Sequence, residues 1–246
     1  MLKIFYGFVA RLRRGWLGTQ AAKAWHRLAP PVPIWKTIYG VKVCLDFRDS
    51  LVYWAVDARR IEKAEGFDRM IECIQGDIWD VGCNVGIFSL YAASKGHRVI
   101  AFDVSPKAIA LVQKSAAKNG LKILTVGRAF AISSFRYAPP DSADVQNRPS
   151  DKPDQNTETS LTYLEAEAQF GRPSFIKLDI EGAEIDFLKS VEFKNWIQAH
   201  RIPLLIEVHE KHFWNLIWPD VPNLRFDEAH VFFNPPSNFT NQGFPP

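Results

Sequence analysis

Apolar and polar positions change rhythm along this chain. Between residues 3 and 29 the spacing is helical: Ile4, Phe5, Phe8, Val9, Leu12 and Trp16 share one face, while Arg11, Arg13 and Arg14 fall largely elsewhere. This predicts a basic amphipathic helix. The run Ala29-Pro30-Pro31-Val32-Pro33 breaks it and marks a boundary near residue 38. Residues 1–38 are therefore read as an N-terminal extension and 39–246 as the main domain. Lys42–Phe47 and Leu51–Ala55 predict a short hairpin, and Arg59–Ile74 a helix.

From Gly76 onward short apolar strands alternate with helices. The predicted strands are Asp77–Val81, Arg98–Asp103, Lys122–Val126, Ser174–Asp179 and Pro203–Val208. The predicted helices are Val85–Ser94, Pro106–Asn119, Ala183–Ser190 and His209–Leu216. Strands this short and apolar, separated by helices, imply an α/β fold with a mostly parallel, doubly wound, Rossmann-like sheet. The polar stretch 139–160, rich in Pro, Asp and Asn, interrupts the rhythm and reads as a mobile surface insertion. Val231–Asn234 reads as a last strand, with a structureless Pro-rich tail after Asn234.

Composition sharpens this picture in three places. At 246 residues and 47% apolar, the chain can bury one large core. Net charge is +3, but residues 1–45 hold eight Lys or Arg and no acid, leaving 22 basic against 27 acidic residues in the remainder. A mildly acidic body argues against a nucleic-acid groove. The basic lead either docks on the main domain or a second subunit, or lies on an anionic membrane surface through residues 3–29. An acid-poor, Arg-rich start also has the composition of a mitochondrial presequence, although its apolar run is too short for a secretory signal. Cys44, Cys73 and Cys83, without a CxxC pattern, read as reduced thiols of a cytoplasmic protein, with membrane association left open by the basic lead. No apolar run reaches a membrane-spanning length.

Four strand ends carry the candidate chemistry. Ile78-Trp79-Asp80-Val81-Gly82-Cys83-Asn84-Val85-Gly86 is an apolar strand, a glycine turn and a helix start. Gly82 and Gly86 let the backbone turn sharply and approach a ligand. The free N–H groups of the helix start point outward. Asp80 is placed to meet a cationic group. A dinucleotide fingerprint would need Gly where Asn84 and Ile87 stand, so a tight pyrophosphate cradle is disfavoured. No GK[ST] follows, which excludes a phosphate loop of that type. Asp103, 17 residues after Gly86, ends the next strand, where a carboxylate accepts ribose hydroxyls. The pattern fits S-adenosylmethionine, a nucleoside without phosphate.

The third strand end is Lys177-Leu178-Asp179-Ile180-Glu181-Gly182-Ala183-Glu184. It places Asp179 at the carboxyl edge of the sheet, and Glu184 in a first helical turn where an acid suits the dipole. Glu207 and His209, two apart at the end of Leu204-Leu205-Ile206-Glu207-Val208-His209, face one side of their strand and are expected at the same edge.

These blocks, DVGCNVGIF, AFDVSP, KLDIEGAE and LLIEVHE, follow the order seen in FkbM-like methyltransferases, which this chain resembles over roughly 51–214. Cys83 stands where that family usually has Ala, and Asp103 where Glu is frequent. The resemblance implies a class I methyltransferase fold and O-methylation from S-adenosylmethionine. Asp80, Gly82, Asn84, Gly86 and Asp103 would bind that cofactor. The acceptor would be a hydroxyl of a sugar, glycan or natural product.

Asp179, Glu207 and His209 are then the expected catalytic groups, with His209 the first choice of base because imidazole titrates near neutrality and Asp179 the second. The same three would also suit a divalent metal, and the residues do not decide between the two. Trp214 and Trp218 are either sugar-stacking faces or core. A non-catalytic nucleoside-binding module, a peripheral membrane adaptor and a dehydrogenase are the rival classes. Asn234-Pro235-Pro236 resembles an amino-methyltransferase motif but lies near the wrong end of the chain. Asn238-Phe239-Thr240 fits a glycosylation acceptor, which has meaning only on a secretory route.

Overall fold

A computed structural model describes residues 28–48, 58, 67–140, 157–208, 211–225, 230–237 and 239. The elements are β1 Pro33–Ile38, β2 Val41–Asp46, α1 Phe67–Cys73, β3 Ile78–Val81, α2 Ile87–Ser94, β4 Val99–Phe102, α3 Pro106–Asn119 and β5 Ile123–Val126. There follow β6 Phe130–Ala131, β7 Arg136–Tyr137, β8 Glu158–Thr159, β9 Leu161–Thr162, α4 Tyr163–Phe170 and β10 Phe175–Leu178. The chain continues through α5 Glu184–Lys189, α6 Val191–Ala199, β11 Leu204–Glu207, a 3₁₀ turn Lys211–Leu216, β12 Asn223–Arg225 and β13 His230–Phe233.

The seven-stranded sheet runs β12-β13-β11-β10-β3-β4-β5. The block from β11 to β5 is parallel, and β13 enters antiparallel beside β11. This is the expected Rossmann-like α/β sheet. Its strands have period-two alternation with both faces buried. Ile78, Phe175, Leu205 and Phe232 enter one core cluster. Their neighbours Trp79, Ile176, Leu204 and Phe233 enter the cluster on the other face.

Local chemistry sets the helix ends. Ser105 caps α3 by accepting the Ala108 N–H at 3.3 Å, Pro106 takes the first turn, and Gly120 closes it in the left-handed region at φ 65°. Helix α4 was not expected. It starts with a capping box in which Thr162 accepts from the Glu165 N–H and Glu165 accepts from the Thr162 N–H. Ser190, read as the end of one helix, is also the N-cap of α6, accepting from the Phe193 N–H at 3.1 Å. The expected helix at Val85 begins instead at Ile87, after Gly86. The last expected helix is the 3₁₀ turn from Lys211, and residues 209–210 lie outside the described residues.

Several expectations need correction. β2 pairs with β1, antiparallel through a Tyr39-Gly40 turn, and the expected second arm Leu51–Ala55 lies outside the described residues. The supposed break at Pro33 opens an edge strand, a position that tolerates the missing N–H. Residue 38 is the last of β1, beside the hairpin turn. The insertion is framed by antiparallel pairing of β7 with β8, and Ser160 is fully buried, so its last residues are not surface loop. Residues 141–156, and the expected amphipathic helix over 1–27, lie outside the described residues. Beyond Asn234, Phe239 packs edge-on to Phe232 at 5.0 Å between centroids, so order continues past the last strand. Among the described residues no helix is long and apolar enough to cross a membrane.

The hairpin is bound to the sheet layer through α3. Ser115 Oγ accepts the buried Cys44 N–H at 2.8 Å and donates to the Leu111 carbonyl at 2.7 Å. Asn119 pairs its side-chain amide with both the N–H and the carbonyl of Lys42. Helix side chains thus replace a strand partner for β2. Ser115→Ala strands the Cys44 N–H in the core and is expected to lower stability by about 1–3 kcal/mol, measured by denaturant unfolding.

Candidate active site

From β3 the sheet grows one way through β4 and β5, and the other way through β10 and β11. The strand order therefore reverses between β3 and β10, and open α/β sheets leave a crevice outside the carboxyl ends at such a point. A cavity of about 790 Å³ lies there, lined by Asp80, Gly82, Asn84, Asp103, Asp179 and Glu207 among others. Six of the eight residues singled out from the sequence thus meet in one place. Gly86 stands behind the lining as the residue before α2, in the left-handed region at φ 78°. His209 lies outside the described residues.

The loop after β3 is held by its neighbour strand. The N–H groups of Gly82 and Cys83 both donate to the Phe102 carbonyl, at 2.9 and 3.0 Å. Asp103 Oδ2 accepts the Asn84 N–H and Oδ1 accepts the Ser105 N–H, each at 2.8 Å. Burial pushes the Asp103 carboxyl up to about 6, against these two hydrogen bonds and with the acids Asp80 and Asp179 adding to the rise. Burial likewise raises the Cys83 thiol well above its ordinary value, which makes it a poor nucleophile.

The glycines do more than allow the expected sharp turn. A Cβ on Gly82 would stand 1.7 Å from the Asp179 carbonyl oxygen, and one on Gly86 would stand 2.7 Å from Val112 Cγ2. Both sites also have φ near 80°. Close packing of the chain on itself demands glycine there.

Two acceptors in this region have no donor among the described residues. Asp80 is 1% exposed, and its Oδ2 accepts the Ser89 hydroxyl at 2.5 Å. Its Oδ1 and the Oδ1 of Asn84 are both buried without a hydrogen-bond partner. A buried acceptor left bare costs about 1–3 kcal/mol, so this pair calls for N–H or O–H groups from a ligand.

The residue that sequence reading missed is Lys177. It is 6% exposed, lines the cavity and pairs in register with Asp80 across β10 and β3. Its Nζ donates to Asp179 Oδ2 at 2.8 Å. Burial works against its charge, but Asp179, Asp80 and Glu207 outweigh that and hold the ammonium protonated far above its ordinary range. A Lys on an apolar strand, two residues before a strand-end acid, was the available signal.

Glu184 is also more than a helix-dipole residue. It is fully buried, and its two oxygens accept the N–H groups of Ile180 and Gly182, each at 2.6 Å. It shapes the turn after Asp179, where Glu181 has φ 55° and Gly182 φ 97°. Glu207 faces His230 at 3.6 Å, a histidine that the sequence reading passed over. Among the described residues no group of three or more His, Cys, Asp or Glu is arranged to hold a metal ion, and Asp179 already bears the Lys177 ammonium. Trp218 is core: it is 4% exposed and its Nε1 donates to the Leu188 carbonyl. Trp214 packs on the same cluster. Asn234 spends its amide on the Ile197 and Ile202 carbonyls, far from any methyl-acceptor role.

A seven-stranded sheet of this order, with acids at successive strand ends around a switch-point cavity, defines a class I, Rossmann-like methyltransferase fold. The chain belongs to the FkbM methyltransferase family, whose domain matches residues 80–233. Solved structures resemble it distantly. The Pyrococcus abyssi tRNA (uracil-54, C5)-methyltransferase in complex with S-adenosyl-L-homocysteine is 13% identical, over 82% of this chain and 43% of that one, with a TM-score of 0.44. The Thermus thermophilus 16S rRNA N2 G1207 methyltransferase in complex with AdoMet and guanosine is 15% identical, over 83% and 52%, with a TM-score of 0.46. A Salinibacter ruber RNA methyltransferase in complex with S-adenosyl-L-homocysteine is 13% identical, over 72% and 96%, with a TM-score of 0.41. This chain spans about half the length of the first two. Membership rests on the match over 80–233, and these likenesses, with TM-scores below 0.5, add nothing to it.

The glycine geometry gives a direct test. Gly82→Ala is expected to abolish folding or cost at least about 3 kcal/mol, because the clash is with backbone. Gly96→Ala, with φ 93° but open space around its Cβ, is expected to cost only about 1–2 kcal/mol. Thermal unfolding of the two variants measures the difference.

Proposed function

We propose that this chain is an S-adenosylmethionine-dependent O-methyltransferase whose acceptor is a hydroxyl of a sugar, glycan or natural product. The observation that carries the cofactor assignment is the pair of bare, buried acceptors on Asp80 and Asn84, with Asp103 beyond them at the next strand end. The amino group of the methionine part would answer the first pair. The ribose hydroxyls would answer Asp103, whose two oxygens each accept one backbone N–H and keep a lone pair each. Asn84 stands where a dinucleotide fingerprint would need Gly, which speaks against a tight pyrophosphate cradle.

Methyl transfer from a sulfonium is an in-line displacement, so alignment supplies much of the rate. The acceptor hydroxyl must also give up a proton. We assign His209 as the base, two residues after Glu207 in the chain. Asp179 is the weaker candidate, because its Oδ2 already accepts from the Lys177 ammonium at 2.8 Å. The acidic body of the chain favours a neutral or cationic acceptor over nucleic acid. The residues before 28 would bring a lipid-linked acceptor near if they bind a membrane surface.

Two outcomes test this reading. Asp103 takes up a proton in the free protein near pH 6 but near 3.8 when its surroundings are lost. The folded state therefore holds more protons between those values, and its stability falls as pH rises through that window. Ribose hydroxyls need the ionised form, so affinity for S-adenosylhomocysteine should fall as pH drops below about 6, approaching tenfold per unit. Calorimetric titration should show this slope in the wild type and lose it in Asp103→Asn, and NAD should not bind. With a methyl-accepting glycan extract and labelled donor, His209→Ala should lower turnover by about 10²–10⁴-fold with donor affinity unchanged. Turnover near wild type in that variant would remove His209 as the base. Donor binding with no transfer to any acceptor would favour a non-catalytic module.

A further inference from the structure

The reaction proposed above discharges the donor. The S–C bond breaks with its electron pair left on sulfur, the O–C bond forms, and the hydroxyl proton goes to the base. The positive charge leaves sulfur and reappears on the protonated base. Carboxylates that surround a sulfonium stabilise the charged ground state more than the transition state, and such binding slows the chemical step. This site has such carboxylates: Asp80 on β3, Asp179 after β10 and Glu207 at the end of β11 all line the cavity.

Lys177 is placed against this effect. It is buried, lines the same cavity, stands in register with Asp80 and donates to Asp179. The bond to Asp179 uses one of its three ammonium N–H groups. A structural Lys at this strand position would be better replaced by an apolar residue, since Phe175 on the same face of β10 and Leu205 in register on β11 are both buried in the core.

We propose that Lys177 sets the discrimination between charged donor and neutral product. Its ammonium offsets the three carboxylates, weakens binding of the sulfonium relative to the thioether, and so keeps the donor from being held too tightly to react. Lys177 is a positioning and charge-balancing residue, not a base. This inference rests on the proposed cofactor, but its test separates the two.

The measurement is the ratio of dissociation constants for S-adenosylmethionine and S-adenosylhomocysteine, by calorimetry on the full chain. Lys177→Gln keeps a hydrogen-bond donor for Asp179 and removes the charge. It should shift the ratio toward the donor by on the order of tenfold. Lys177→Arg should leave the ratio within about twofold of wild type, because the charge remains. Lys114→Met, which removes a water-exposed cation on α3 away from the cavity lining, should also leave it unchanged.

Lys177→Gln leaves Asp179 less well compensated and can fail to fold. The second comparison then decides: Asp179→Asn against Asp179→Asn with Lys177→Met, where no charge of that pair is stranded. Adding Lys177→Met should move the ratio in the same direction by a similar factor. Equal loss of both ligands, or a ratio that moves less than about twofold in both comparisons, overturns the proposal. If neither ligand binds the wild type, the cofactor assignment fails instead.

Discussion

The pairing of β3 with β10 is the contact on which the rest of the structure depends. It is the point where the strand order reverses, and it sets Asp80 beside Lys177 in register. It also brings the Asp179 carbonyl so close to Gly82 that no side chain fits between them. The loop after β3 is therefore shaped from both sides. β10 presses on Gly82, and Asp103 at the end of β4 holds the Asn84 N–H. The residues of this loop that face the cavity inherit their position from these two neighbours.

Charge follows from the same geometry. Parallel strands that end together place their last polar residues together, here Asp80, Asp179 and Glu207. Three carboxylates in one partly dry pocket repel each other, and the buried Lys177 ammonium answers them. For Asp103, further along, burial dominates and moves its proton uptake toward neutrality. The site thus has a compensated half near β10 and a less compensated half near β4. A ligand with an ammonium and a ribose has groups suited to both halves.

Much of this was legible in the chain. Short apolar runs between helices marked β3, β4, β10 and β11 within a residue or two, and Ser105, Pro106 and Gly120 fixed α3 at both ends. The strand-end acids were legible because a charge that closes an apolar run must reach water, a counter-charge or a ligand. The misses have physical causes. Strand β1 was missed because Pro33 signals a break as well as an edge strand. Helix α4 was hidden by the polar stretch before it, although Thr162 and Glu165 carry its capping box. Lys177 and Glu184 were undervalued because their roles depend on partners brought by folding: carboxylates on other strands for Lys177, and the turn amides of Ile180 and Gly182 for Glu184. The glycines were found for an incomplete reason, since only the fold shows Asp179 and Val112 pressing on them.

In the proposed reading, the bare oxygen of Asp80 awaits an ammonium while Asp103 awaits a ribose. Calorimetry of the wild-type chain with S-adenosylhomocysteine and with 5′-methylthioadenosine, which has the ribose but lacks the amino-acid part, tests it most directly. Both should bind, and the truncated nucleoside should bind weaker by on the order of a hundredfold, the worth of a buried charge-assisted hydrogen bond. Equal affinities, or no binding of either, would contradict it.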